Sequence, residues 1–325
     1  MSVMEDSDSV AARNRLVGML CIAGAMVLFS VNDMAIKFLS GGYALHQVIL
    51  IRTLIAMTLL LTVIVPFQGG YAALRTQRLP MHLLRGAFVV IANMLFFVAL
   101  AAMPLAEAVA ISFVSPLLIS ILSVLLLGET VGPRRWVAIA VGLFGVVVVL
   151  RPGTEAFRMA ALLPLFGAGA YAMLHILTRK MGGTERATTL AFYIQITFVT
   201  VSASMGLAFG DGRLSGTGDA SLDFLLRSWI WPAREDWPVF VVLGLASGFG
   251  AVLISQAYRL CEAALVAPFE YIAMPMAVMW GVVVFGDWPD AVSWTGIMLI
   301  VGGGLYTLWR ETRTRTLAQA PRARR

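Results

Sequence analysis

The sequence predicts an all-α integral membrane protein, with ten transmembrane helices arranged as two inverted five-helix repeats. Three observations carry this. Of the 325 residues, 59% are hydrophobic and 13% charged, where an ordinary soluble domain has about 25% charged. The apolar residues fall in blocks of about 18 or more, the length that crosses a bilayer. The block ending near Gly128 returns with the same ending near Gly286. This composition excludes disorder, a nucleic-acid-binding domain and an ordinary soluble enzyme. It leaves no length for a separate soluble domain.

Residues 1–15 are polar and read as a cytoplasmic N-terminal tail, with Glu5, Asp6 and Asp8 ahead of Arg13 and Arg15. The apolar run after them is long and has no small-residue cleavage pattern, so it reads as the first span and not a cleaved signal peptide. Spans are expected over 16–38, 46–66, 82–102, 104–127, 134–150, 159–178, 187–209, 237–258, 262–285 and 291–309. Only Met103-Pro104 separates the third from the fourth. A single helix there would be about twice the bilayer's thickness, and proline both breaks and starts helices. The connection 210–236 opens as a Gly/Ser/Asp loop and continues through Trp229, Trp231, Pro232 and Trp237. Tryptophans beside a span mark the lipid–water boundary, so this part reads as a surface-lying segment.

Most of the Lys and Arg residues lie in alternate connections. They are Arg13 and Arg15, then Arg75, Arg78 and Arg85, then Arg134 and Arg135, then Arg179, Lys180 and Arg186, then Arg259, and finally the basic tail 310–325. The positive-inside rule therefore expects a multi-pass protein of the inner (plasma) membrane with both termini cytoplasmic. It also accounts for the formal net charge of +6 without a nucleic-acid partner. Cys21 and Cys261 form no CxxC pair, so neither a metal nor a redox site is expected, and no cofactor is implied.

The two halves repeat. Val124-Leu125-Leu126-Leu127-Gly128-Glu129 pairs with Val282-Val283-Val284-Phe285-Gly286-Asp287 at an offset of 158 residues. At the same offset Trp136, Ile139, Gly145 and Leu150 match Trp294, Ile297, Gly303 and Leu308. Pro116 and Pro275 hold similar mid-span positions. The repeats are expected over 16–150 and 159–309. Five spans in each half turn the second upside down relative to the first, the plan of many secondary transporters.

These stretches, Pro116 to Glu129 and Pro275 to Asp287, resemble the drug/metabolite transporter superfamily in its EamA-domain branch. Ser30-Val31-Asn32-Asp33 through Lys37, with Arg52, and Ala267-Pro268-Phe269-Glu270-Tyr271 are similar to members that carry amino acids, amines or S-adenosylmethionine. The resemblance covers nearly all of 16–309. It implies a secondary transporter with alternating access and a small-molecule substrate.

Ionisable groups in hydrocarbon cost at least about 2.5–3.5 kcal/mol and so mark interior sites. Glu270 lies between Pro268 and Pro275, each of which frees a backbone carbonyl. A carboxylate beside free carbonyls suits an ammonium group, a proton or a sodium ion, and Glu270 is the expected coupling residue. Asp33 and Lys37 share a helix face, either neutralising each other or forming a gate or a charge pair broken by a zwitterionic substrate, with Asn32 beside them. Arg52 either binds a carboxylate through its planar fork or snorkels to the outer interface. His175 can titrate near neutral pH. Tyr171 and Tyr271 are expected to line the cavity with these residues. Glu107 reads as a helix-start charge. The glycines Gly142, Gly145, Gly302, Gly303 and Gly304 allow close packing of the fifth and tenth spans, or a homodimer face.

The expected function is a secondary transporter of a small zwitterion or cation. An organic-anion carrier resting on Lys37 and Arg52 is the alternative. No GxxxxGK[ST] loop is present, so ATP is not the direct energy source. The chain also lacks HExxH and Gly-x-Ser-Gly motifs, which argues against an intramembrane enzyme, and a filter-like loop, which argues against a channel.

Overall fold

The computed structural model describes residues 2–67, 70–128, 132–154, 159–181, 187–260 and 267–319, and all regular structure among them is helical. Glu129, Cys261, Glu262 and the last arginines, Arg322, Arg324 and Arg325, lie outside these residues. Helix α1 (Ser2–Leu39) is followed by α2 (Leu45–Leu59), which runs on through a π turn at Leu60–Ile64. Next come α3 (Leu79–Leu100), α4 (Leu105–Ser112), α5 (Ser115–Leu127) and α6 (Pro133–Leu150). The second half contains α7 (Leu162–Met181), α8 (Ala187–Phe209), the short α9 (Ala220–Leu226) and α10 (Trp237–Leu260). A 3-10 stretch at Ala267–Ile272 leads into α11 (Ala273–Phe285), and α12 (Ala291–Gln319) ends the chain.

Seven of the helical segments are long and apolar enough to cross a membrane. Three further apolar helices are shorter: Trp136–Leu150, Phe269–Phe285 and Ala291–Tyr306. Large apolar side chains such as Leu125, Phe144, Phe166, Leu207 and Val283 face outward. An apolar outer surface of that extent fits lipid, and the protein is a multi-pass membrane protein.

Two segments differ from the expected continuous spans. The span expected over 104–127 is broken at Phe113-Val114, between α4 and α5. Pro116 brings no N–H to the helix, and its ring crowds the carbonyl of Ser112. The ninth span begins as a 3-10 stretch and becomes α-helical at Ala273, just before Pro275. Both segments then end alike, on a left-handed glycine: Gly128 with φ 68° and Gly286 with φ 70°. The N-terminal tail joins α1 without a break. At the other end α12 continues past the expected limit at 309, where no helix breaker intervenes before Pro321.

Successive contacts close a ring. Around it α1 packs on α10, α10 on α2, α2 on α8, α8 on α3, and α3 on α7. From α7 the ring returns through α4 and α5 to α11, and α11 packs on α1. Helices α6 and α12 form a pair outside the ring and against α4 and α5. Glycines set the closeness of that pair. A Cβ on Gly145 would lie 2.9 Å from the carbonyl oxygen of Gly296, and one on Gly303 would lie 2.9 Å from that of Ala138. Of the small residues noted in the sequence, Gly142, Gly145 and Gly303 serve this contact within one chain.

Candidate functional site

Arg52 sits two turns into α2 and is only 5% exposed, so it does not snorkel to an interface. Its Nη1 donates to Oδ1 of Asn32 on α1 at 3.0 Å. The Asn32 amide in turn donates from Nδ2 to Oδ1 of Asp33 at 2.9 Å. Asp33 is also within electrostatic reach of Arg52. The Phe97 and Phe198 rings, from α3 and α8, flank the guanidinium at 5.3 and 5.4 Å. Four helices therefore build one buried guanidinium–amide–carboxylate chain. Its charges offset one another, which an unpaired ion at this depth could not do.

A second group forms around the 3-10 stretch. Glu270 lies within electrostatic reach of both Tyr171 and Tyr271. Tyr171 meets His175 one turn later on α7, ring centroids 4.6 Å apart. Tyr271 stacks on Phe113, at the break between α4 and α5, at 4.8 Å and 20°. The Tyr271 hydroxyl is buried with no hydrogen-bond partner among the described residues. It faces Gly304, where a Cβ would lie 1.8 Å from it. Tyr171 lies deep among the helices, yet 37% of its surface is open. Asp33 and His175 are likewise deep and only half-buried. Side chains placed this way border an interior space and do not pack against solid core.

Lys37 stands apart from both groups. It turns to the end of the bundle and not to Asp33. Its Nζ donates to the Met103 carbonyl at 2.6 Å and lies 3.5 Å from Asp287 and 5.0 Å from the Phe285 ring. Arg151 belongs to the same end. It closes α6 in the left-handed conformation, φ 48°, which side chains other than glycine rarely adopt. Its guanidinium pairs with Asp290 and donates to Ser293 Oγ at 2.9 Å. Ser293 Oγ donates to Glu107 at 2.6 Å. Hydrogen bonds from Arg151 and from the Ser293 backbone hold the Asp290 carboxyl well below the usual carboxylate range. Glu107 is thus a cross-helix partner as well as a first-turn charge.

The same end carries the long connection. Its Trp229 folds back onto Gly206 and stacks on His46 at 5.7 Å, whereas Trp231 stays exposed as the sequence suggests. Arg227 donates to the Ser40 carbonyl at 2.9 Å, and Gln47 donates to that of Ile230. Asp219 caps α9 by accepting from the Leu222 N–H.

Of the eight site residues expected from the sequence, the structure joins Asn32, Asp33 and Arg52 in one group. It joins Tyr171, His175, Glu270 and Tyr271 in another, and leaves Lys37 at the end of the bundle. Asn93 bonds within its own helix, to Val89. Arg85, Phe97 and Phe198 escape the sequence reading. Arg85, grouped there with loop arginines, is buried in α3 within reach of His175. Trp280 donates from its indole to Ser30 at 3.2 Å, tying α11 to α1. Phe97 and Phe198 look like any other core phenylalanines until their partner is known. Among the described residues no cluster of His, Cys, Asp or Glu is placed to hold a metal ion.

Comparison with known proteins adds a lineage. Residues 16–151 match the EamA-like transporter family. The chain is 29% identical over 244 residues to a riboflavin transporter of Rhizobium johnstonii, covering 75% of each chain. It is 27% identical over 304 residues to an S-adenosylmethionine uptake transporter of Rickettsia prowazekii, covering 94% of this chain and 96% of that one. A crystal structure 20% identical in sequence shares the fold, with a TM-score of 0.60 over 91% of this chain and 98% of that one.

Proposed function

The chain belongs to the EamA-domain family of the drug/metabolite transporter superfamily, and from that membership we propose that it moves a small zwitterionic or cationic metabolite by alternating access. It is a membrane transporter of small metabolites and not an enzyme. The observation that carries the finer reading is the buried Arg52–Asn32–Asp33 chain, about two turns inside the ends of apolar helices and bordering an interior space. Charges are kept there only for a use that repays their desolvation. Asn32, Asp33 and Arg52 would receive one part of the substrate. Tyr171, His175, Glu270 and Tyr271 would receive the rest, with Glu270 as the coupling carboxylate for a proton or sodium ion. Lys37, tied to Asp287, would control access from its end.

The pattern of contacts supports ten spans in two inverted five-helix repeats, 16–150 and 159–309. Exchanging α1 with α7, α2 with α8, α3 with α10, α4 and α5 with the 267–285 segment, and α6 with α12 leaves the ring of packing partners unchanged. The α6–α12 contact obeys the same exchange. Gly145 meets Gly296, and 158 residues away in each direction Gly303 meets Ala138 at the same distance. Residue i meeting j while j's counterpart meets i's is the signature of a two-fold contact. Two halves so related can rock about the site and open it to each side in turn. The tails 1–15 and 310–325 would then both be cytoplasmic in the inner membrane. The relatives are named for riboflavin and for S-adenosylmethionine. The paired charges here fit the zwitterionic S-adenosylmethionine better than the uncharged rings of riboflavin.

The test is uptake into liposomes of labelled amino acids, amines, S-adenosylmethionine and riboflavin, with and without an imposed pH gradient, by wild type and Glu270→Gln. Gradient-stimulated uptake of a zwitterion or cation, lost in the variant, is the expected result. Equal uptake by both proteins would remove Glu270 from the coupling step. Uptake of organic anions alone would replace the reading with an anion carrier resting on Arg52 and Lys37.

A further inference from the structure

We propose that Asn32 is a built-in stand-in for the α-amino-acid group of a zwitterionic substrate, which displaces it from Arg52 and Asp33 on binding. The inference rests on the carrier reading above and deepens it to a substrate class.

The argument begins with what a carboxamide can offer. Its oxygen accepts and its nitrogen donates, from atoms joined to one carbon. Asn32 uses both ends at once, accepting from Arg52 at 3.0 Å and donating to Asp33 at 2.9 Å. An α-amino acid presents the same order of groups over nearly the same span, with a carboxylate oxygen in place of the amide oxygen and an ammonium in place of the amide nitrogen. Both replacements carry full charge. Each Asn32 bond is already charge-assisted from one side, by Arg52 or by Asp33. The exchange makes both partners of each contact ionised and so adds direct attraction between opposite charges.

The guanidinium also has a donor to spare. Arg52 Nε is buried and has no hydrogen-bond partner among the described residues. The amide has only one oxygen to give. A carboxylate has two and can bridge Nη1 and the other terminal nitrogen together, in the bidentate geometry that arginine favours, while Nε on the opposite edge from Nη1 is left for another group of the substrate. The Phe97 and Phe198 rings stand 5.3 and 5.4 Å from the guanidinium, close enough for cation–π attraction to help hold it in place.

Net charge points to the same class. The site is one cation and one anion, and a zwitterion adds equal charge of both signs. A lone carboxylate would leave Asp33 facing a second anion, and a lone amine would leave Arg52 beside a second cation. Either is costly away from water. Asn32 and Asp33 are consecutive on α1, so releasing the amide requires a side-chain rotation and no movement of the helix.

The test is displacement of labelled S-adenosylmethionine from the full-length protein in lipid nanodiscs. S-adenosylhomocysteine keeps the zwitterion without the sulfonium. Decarboxylated S-adenosylmethionine keeps the amine and loses the carboxylate, and methylthioadenosine loses both. The expected order places the first competitor close to S-adenosylmethionine and the other two about tenfold or more weaker. Arg52→Gln should erase the difference between S-adenosylmethionine and its decarboxylated form. Asn32→Asp sets a permanent carboxylate on Arg52, and should weaken the zwitterions about tenfold while sparing the decarboxylated compound. The wild-type series stands alone if either variant fails to fold. Equal competition by the decarboxylated compound in wild type would overturn the proposal. So would uptake of riboflavin with no binding of any compound in the series, although the carrier reading would then survive. Absence of uptake for every solute tested would overturn the carrier reading itself.

Discussion

The ring of Phe113 lies flat against that of Tyr271, 4.8 Å away and 20° from parallel. The two residues are 158 apart, the offset that relates Gly128 to Gly286. Each sits just before the proline that interrupts its helix, Pro116 in one half and Pro275 in the other. The two interruptions therefore meet face to face, beside Glu270 and the open side of Tyr171.

The Tyr271 hydroxyl is buried and unpartnered among the described residues, and leaving such a group unsatisfied costs about 1–3 kcal/mol. Tyr271→Phe should leave the stacked ring in place and keep or raise the thermal midpoint in detergent. If the hydroxyl contacts substrate, uptake should fall in the same variant. A lower midpoint would show that the hydroxyl already has a structural partner.

Adjacent glycines on α12 should respond in opposite ways. A Cβ on Gly302 meets nothing within 4 Å, so Gly302→Ala should be neutral or slightly stabilising through helix propensity. One on Gly303 would lie 2.9 Å from the Ala138 carbonyl oxygen, where backbone would have to move. Gly303→Ala should cost about 1–3 kcal/mol. Comparing the two midpoints checks the α6–α12 contact directly.

Lys37 ties α1 to Asp287 and to the Met103 carbonyl. The pair is partly open to solvent, so Lys37→Met should cost about 1 kcal/mol or less in stability. The larger effect should fall on uptake kinetics, if this end must open and close. Reversing both charges, Lys37→Asp with Asp287→Lys, should recover part of the rate lost by either change alone. Recovery stays partial because the Met103 carbonyl loses its donor.

The pairing of Arg151 with Asp290 should make stability depend on pH below the physiological range. Asp290 has its folded-state pKa depressed by Arg151, so its contribution is present above the unfolded value and lost as pH falls through the folded one. An unperturbed aspartate titrates near about pH 4. The midpoint difference between wild type and Asp290→Asn should therefore hold from neutral pH down to about 4 and close below it. A difference that vanished between pH 6 and 5 would show that the carboxyl is not held low.

The helices themselves were legible in the sequence because hydrocarbon imposes a length and forbids charge, and both are local properties. The residues of the Arg52 chain were legible for the same reason: a charge in a long apolar run stands out. Two features were not. Pro116 was visible, but only the structure shows that the irregular turn falls before it, at Phe113-Val114. Arg85 sat at the edge of a span beside other arginines and looked like a topology signal, until α3 proved to begin earlier and bury it.

The sequence by itself determined the class of protein and which residues are too polar for their surroundings. Tertiary structure alone decided which of those residues meet. Asp33 and Lys37 share a helix face, yet Asp33 lies beside Asn32 and Arg52 while Lys37 reaches Asp287. Helical periodicity gives the direction of a side chain. The nearest opposite charge lies on another helix, and its height and rotation are set by packing far along the chain.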